Sequence, residues 1–152
     1  MIITKMCECH VPQIAELEKL CFNDPWSEKS IASELDNKLS LWLVAVENEK
    51  VIGYVGSQTV LGETDMMNIA THPDYRKQGI ATGLIVRLVG ALELRGSHSL
   101  MLEVRASNIN AISVYKKLDF IEVGRRKNYY KNPKEDALIL RKEWSINEYS
   151  GN

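Results

Sequence analysis

Arg76-Lys77-Gln78-Gly79-Ile80-Ala81 has the residue types of an anion cradle. It stands between a strand-like segment and a long stretch with helical apolar spacing, so it marks a helix start. A helix start offers backbone N–H groups that have no partner, together with a partial positive charge. Successive N–H groups in the preceding loop form an anion-binding concavity. Gly79 lets the backbone approach a bulky anion closely, and the small Ala81 keeps the first turn open. Arg76 and Lys77 add cationic charge nearby. Such a cradle suits a pyrophosphate. It is neither the Walker-type phosphate loop, with its Gly-Lys-Ser/Thr ending, nor the Gly-x-Gly-x-x-Gly dinucleotide fingerprint.

Other residues could carry proton or metal chemistry. Glu103 falls on the strand face opposite Leu102 and Val104, so its carboxylate need not enter their core. Tyr115 follows Asn108 by seven residues, about two helical turns, so the two can share one helix face. A phenol of pKa about 10 can supply a proton to a strong enough base. Cys7-Glu8-Cys9-His10 has the donor types of a metal clip. No second ligand pair follows at zinc-site spacing, so the sequence assigns no metal. The three cysteines, with Cys21, are a poor disulfide framework. His10, His72 and His98 are scattered and receive no role.

The elements that must position these groups alternate at short spacing. Ile2–Thr4 reads as a strand. Pro12 opens a helix carrying Ile14, Leu17, Leu20 and Cys21. Asn23-Asp24-Pro25 breaks it, and Ser27 can cap a second helix with Ile31 and Leu35. Leu41–Val46 and Val51–Val60 read as a hairpin around Asn48-Glu49-Lys50, and Met66–Thr71 as another strand. After the polar loop from His72 to Gly79, Ile80, Leu84, Ile85, Leu88, Val89 and Leu92 share one helix face, which Gly96 ends. Leu100–Val104 is a strand, Asn108 opens a helix through Leu118, and Ile121–Val123 and Ala137–Leu140 are strands around a loop from Tyr129 to Asp136. The front half favours antiparallel pairing. The strand–helix–strand units behind it favour parallel pairing. The result is an α/β fold: a mixed central sheet of about seven strands flanked by about four helices.

The chain of 152 residues suits one domain, placed at 1–146, with a polar tail at 147–152. Apolar residues make up 45% and charged residues 26%, as in ordinary globular domains. A net charge of −1 gives no basic groove, so no nucleic-acid partner is expected. No signal peptide and no bilayer-length apolar run is seen, so the expectation is a cytoplasmic protein without a membrane partner.

The cradle resembles the Arg/Gln-x-x-Gly-x-Gly/Ala acetyl-CoA signature of the GNAT superfamily of N-acetyltransferases. Four further segments resemble its ribosomal-protein alanine N-acetyltransferase (RimI-type) branch: Cys21-Phe22-Asn23-Asp24-Pro25-Trp26-Ser27, Asn68-Ile69-Ala70, Leu102-Glu103-Val104-Arg105-Ala106-Ser107-Asn108, and Tyr129-Tyr130 through Glu135-Asp136-Ala137. The likeness runs from about residue 2 to residue 142. It implies a V-shaped opening between two central parallel strands that receives acetyl-CoA. The acetyl carbonyl would meet backbone N–H groups around Ile69, Ala70 and Thr71. The pyrophosphate would lie on Arg76, Lys77, Gln78, Gly79, Ile80, Ala81 and Thr82, with Asn108 as a further CoA contact. It implies Glu103 as proton acceptor and Tyr115 as proton donor. Trp26, Tyr129 and Tyr130 would line the substrate channel.

The implied reaction acetylates the N-terminal alanine of small-subunit ribosomal protein number eighteen, a basic protein. An α-amine, with pKa about 7.7–8.0, needs only a modest base, whereas a lysine amine near about 10.4 needs more. Glu34, Asp36, Glu63, Asp65, Glu135 and Asp136 could steer a basic substrate. Arg105 reads as the partner of a neighbouring carboxylate. Asp119 stands where the family usually has glycine, and Thr71 where it usually has valine; aspartate tolerates left-handed backbone better than most residues. Acetylation of a small-molecule amine and a non-catalytic CoA-binding module are the alternative readings. Pro25-Trp26-Ser27 and Tyr129-Tyr130 favour a peptide over a small amine.

Overall fold

The computed structural model describes residues 1–144. The expected tail at 147–152 lies outside the described residues, as do 145 and 146. One seven-stranded mixed sheet runs in the order β1-β2-β3-β4-β5-β7-β6, with four α-helices in the connections. Its strands are β1 (Ile2–Lys5), β2 (Ser40–Glu47), β3 (Lys50–Val60), β4 (Glu63–Thr71), β5 (Ser99–Arg105), β6 (Ile121–Tyr130) and β7 (Glu135–Glu143). The helices are α1 (Val11–Cys21), α2 (Glu28–Ser33), α3 (Ile80–Leu94) and α4 (Ile109–Lys117). The described residues pack as two compact units, Met1–Gln58 with Met67–Gly90, and Thr59–Met66 with residues 91–144.

In the first unit, Pro12 sits in the first turn of α1, where a missing N–H costs nothing. The helix buries Val11, Ile14, Ala15 and Leu17. Ser27 caps α2 by accepting from Ser30 N at 3.0 Å. This helix ends at Ser33, and Leu35 lies in a 3-10 turn rather than on the α-helix. β1 and β3 pair antiparallel with β2. Asn48 and Glu49 both have positive φ, as a two-residue hairpin turn matching the strand twist requires. β2 is buried continuously from Ser40 to Ala45, so both of its faces are covered. The stacked rings of Trp42 and Tyr54 lie in this core.

In the second unit, β4 and β5 pair parallel from Glu63↔Ser99 to Asp65↔Met101. β5 alternates as its sequence predicts: Leu100, Leu102 and Val104 are buried, while Met101, Glu103 and Arg105 are half-buried. β7 lies antiparallel beside β5 along its whole length, and β6 pairs antiparallel with β7. The second strand–helix–strand unit therefore gives no parallel neighbours, because the last strand inserts between β5 and β6. The expected strands at 121–123 and 137–140 extend to 121–130 and 135–143, and Tyr129, Tyr130, Glu135 and Asp136 are strand residues rather than loop. Asn108 caps α4 through Ala111 N at 3.2 Å. Asp119, just past the helix, has φ +70°, the left-handed backbone that usually selects glycine there.

Gly56 faces Trp42 across the β2–β3 pair, and a Cβ on it would lie 2.4 Å from the indole. The missing side chain lets the ring lie across the neighbouring strand. Gly56→Ala therefore lowers stability by about 1–3 kcal/mol, the range for overpacking a filled core. Urea denaturation measures this, and a variant as stable as the parent contradicts the packing.

Candidate active site

The cofactor-binding candidates lie in the first unit. β4 ends at Thr71, and a 3-10 turn at Pro73–Tyr75 leads into the exposed stretch Arg76–Gly79. Lys77 has φ +63° and Gly79 φ +78°, so two left-handed residues flank Gln78 immediately before α3. For a lysine that conformation is uncommon. The first α3 bond runs from Gly83 N to Gly79 O at 2.9 Å. The N–H groups of Ile80, Ala81 and Thr82 therefore stand in the first turn, where an α-helix supplies no backbone acceptor. A turn of this kind ending in a helix N-terminus can hold an anion through main-chain N–H groups alone. Arg76 folds back: its Nε lies 3.4 Å from Thr71 O and a terminal nitrogen 3.7 Å from Cys21 Sγ. It thus ties α1 to the end of β4. Ile80 is buried, and Ala81 and Thr82 are half-buried.

The same unit holds a group that the sequence reading missed. Glu18 on α1 is only 1% exposed. Its carboxylate accepts from Trp26 N at 2.8 Å, from Asn68 Nδ2 at 2.7 Å and from Tyr54 OH. Burial pushes this carboxyl above its ordinary value, against the lowering effect of the Trp26 and Asn68 hydrogen bonds. Trp26, expected in a substrate channel, is half-buried and packs edge-on against Trp42 with ring centres 5.4 Å apart. The missed signal was a carboxylate in the apolar stripe Ile14, Leu17, Glu18, Cys21, spaced as one helix face.

The proton-transfer candidates lie in the second unit, where the structure groups them. Glu103 Oε2 is 3.2 Å from Arg126 Nε on β6. This is ion-pair distance without hydrogen-bond alignment, and that oxygen is buried and accepts no hydrogen bond among the described residues. Tyr115 is 6% exposed and packs edge-on against Phe120. Burial, with a smaller effect of Tyr130, raises its pKa far enough to keep the phenol protonated at neutral pH. Tyr130 is pushed up to about 12, first by burial and then by the Glu103 charge. The Arg105 guanidinium lies 4.4 Å from its ring centre. Tyr129 is more exposed and stands edge-on to Tyr130 at 5.1 Å, with Arg126 over its own ring. Asn108 uses its side-chain oxygen to cap α4, which leaves the amide nitrogen as its donor end.

Arg105 pairs with Glu135 at 3.3 Å, as expected, and also donates to Pro133 O and Lys131 O. These contacts fasten the turn between β6 and β7. The proposed steering charges fare differently. Glu34 is buried and accepts from Asn37, Ser40 and Gln58, so it faces inward. Glu63 pairs with Arg141, and Asp136 with Arg125. A hydrogen bond from Ser107 holds Glu135 below the ordinary carboxylate range, and one from Asn128 N does the same for Asp136. Asp36 and Asp65 alone of the six are exposed without an ion pair among the described residues. No helix among the described residues is long and apolar enough to cross a membrane.

The model of the acetyltransferase (GNAT) family matches residues 11–120. The chain belongs to that family. It is therefore an acyltransferase by fold and by descent. It is 39% identical over 132 residues to the ribosomal protein bS18-alanine N-acetyltransferase of Escherichia coli K12, covering 86% of this chain and 88% of that one. The crystal structure of the ribosomal-protein-S18-alanine N-acetyltransferase from Escherichia coli superposes with a TM-score of 0.87 at 37% identity, over 95% of this chain and 94% of the other. The Arabidopsis thaliana NAA60 structure in complex with acetyl-CoA shares the fold, with a TM-score of 0.84 at 18% identity over 93% and 97% of the two chains.

The Glu18 cluster generates a pH prediction. A carboxyl whose folded pKa lies above its unfolded value stabilises fully below the unfolded pKa, and that contribution is lost as pH rises through the folded pKa. Glu18→Gln removes the titration. The stability of the parent minus that of Glu18→Gln therefore falls between about pH 4 and about pH 7. Urea denaturation of both proteins at the two pH values measures the difference, and a rise over that interval contradicts the assignment.

Proposed function

We propose that this GNAT acetyltransferase transfers acetyl from acetyl-CoA to the N-terminal alanine of the small-subunit ribosomal protein S18, in the cytoplasm where that substrate is made. The ribosomal protein bS18-alanine N-acetyltransferase that is 39% identical to this chain supports the substrate. The observation that carries the chemistry is Glu103: a buried carboxylate oxygen with an arginine beside it and no hydrogen bond among the described residues, with the buried Tyr115 phenol and the half-buried Tyr130 phenol in the same unit.

In this reading the pyrophosphate of acetyl-CoA lies on the Arg76–Thr82 turn, and main-chain N–H groups around Ile69, Ala70 and Thr71 receive the acetyl carbonyl. The substrate ammonium gives a proton to Glu103. The freed amine attacks the thioester carbon, and the oxygen becomes an oxyanion held by those N–H groups. The C–S bond breaks as the attacking nitrogen gives its second proton to solvent and the amide forms; Tyr115 gives its proton to the departing thiolate and recovers one from solvent, and Glu103 releases the proton it took. Burial keeps the Tyr115 phenol protonated at neutral pH, so the proton to be given is in place. Tyr129 and Tyr130, braced by Arg126 and Arg105, are the wall residues for the incoming peptide. Trp26, whose backbone N–H is held by Glu18, is a further candidate for contact with the peptide.

Steady-state kinetics with acetyl-CoA and a basic alanine-starting peptide test the mechanism. Tyr115→Phe and Glu103→Gln each keep the fold and lower kcat by about 10²-fold or more, the usual worth of a positioned acid or base. Parent-like turnover in Tyr115→Phe removes the phenol from the reaction, and parent-like turnover in Glu103→Gln removes the carboxylate.

A further inference from the structure

The acetyl-transfer chemistry leaves unused a group of donors at the start of the chain. Cys7 precedes the 3-10 turn Glu8–His10, which runs directly into α1. The turn brings together side chains that sequence spacing alone did not. Cys7 Sγ lies 2.8 Å from Cys9 Sγ and 3.5 Å from His10 Nδ1. All three donor atoms lie within 4.8 Å of one another. Both cysteines are exposed, and the two sulfurs have each other and the imidazole as neighbours rather than a packed core. The missing second ligand pair argued against a metal in the sequence, but a single local turn already supplies three donors.

We propose that Cys7, Cys9 and His10 form a binding site for a thiophilic d10 cation, zinc in the first instance. Thiolate and imidazole donors select such ions over magnesium or calcium, which take oxygen ligands. Two cysteines and one histidine leave a fourth tetrahedral position for water or an incoming ligand, the pattern of an open zinc site. Binding exchanges the contact between the sulfurs and the hydrogen bond from Cys7 N to His10 Nδ1, at 3.0 Å, for three metal–ligand bonds. A zinc–sulfur distance of about 2.3 Å in a tetrahedron requires the sulfurs to separate to about 3.8 Å. Exposed cysteine side chains can make that adjustment by rotating about χ1. Each thiol releases its proton to solvent as its sulfur binds, so affinity rises with pH.

The test uses the full chain, reduced and stripped with a chelator. Cobalt(II) is added as a spectroscopic probe under anaerobic conditions, and zinc is then added to displace it. Thiolate-to-cobalt charge-transfer bands that saturate at one equivalent, vanish with zinc, and leave one zinc per chain by elemental analysis after dialysis are expected. Cys7→Ser and Cys9→Ser lose the bands and the retained zinc, Cys21→Ser keeps both, and circular dichroism confirms that each variant is folded. Bands or retained zinc that persist in Cys7→Ser or Cys9→Ser overturn the site. So does a parent protein that binds neither ion, including one recovered two hydrogens lighter as a Cys7–Cys9 disulfide.

Discussion

The first unit depends on a buried charge that must be satisfied. Glu18 interrupts the apolar face of α1, and a carboxylate in such a place is costly unless hydrogen bonds surround it. Its three donors come from three different parts of the chain: the segment before α2, the middle of β3, and β4 immediately before Ile69. Each donor would itself be left unpaired if the carboxylate were removed. One group thus sets the position of α1 relative to two strands and fixes where the chain turns at Trp26. Arg76 adds a second tie between α1 and the end of β4, through Cys21 and Thr71. The strand expected to receive the acetyl carbonyl and the turn expected to receive the pyrophosphate are therefore braced by the same helix.

The second unit uses charge differently. Its acids and bases are mostly paired at the surface: Arg105 with Glu135, Arg125 with Asp136, Arg141 with Glu63. These pairs hold β6, β7 and the turn between them, and they leave little net acidic field to attract a basic substrate. Glu103 differs, because its ion-paired oxygen is withdrawn from water and accepts no hydrogen bond among the described residues. A phenol pushed up to about 12 at Tyr130 is the expected response to burial beside that charge. Specificity for an N-terminal residue in such a site would come from shape and local contacts more than from long-range attraction.

Much of this was legible in the sequence because the deciding features are local. The N-caps at Ser27 and Asn108, the apolar face of α3 and the alternation of β5 each depend on residues a few positions apart, and the structure reproduces them. What the sequence did not show depends on long-range pairing. β6 and the ends of β7 carry runs of charged and polar residues, as an edge strand can, so their length is set by the partner strand and not by their own composition. The position of β7 between β5 and β6 is invisible to a reading that treats each strand–helix–strand unit separately. Arg126 had no signal because the β6–β7 register, with its irregularity between Arg126 and Tyr130, decides what it faces. Glu18 did have a signal, since a carboxylate on an apolar stripe asks for partners, though nothing in the sequence said which.

The central claim is that the acceptor is the α-amine of a peptide. Intact-mass spectrometry of basic peptides differing only in their first residue, incubated with the protein and acetyl-CoA beside a control peptide with a blocked N-terminus and free lysines, tests it most directly. The account predicts a single added acetyl group on the alanine peptide and none on the blocked control. Acetylation of the blocked peptide to the same extent would place the acceptor on lysine, and no acetylation of any peptide would contradict a peptide acceptor altogether.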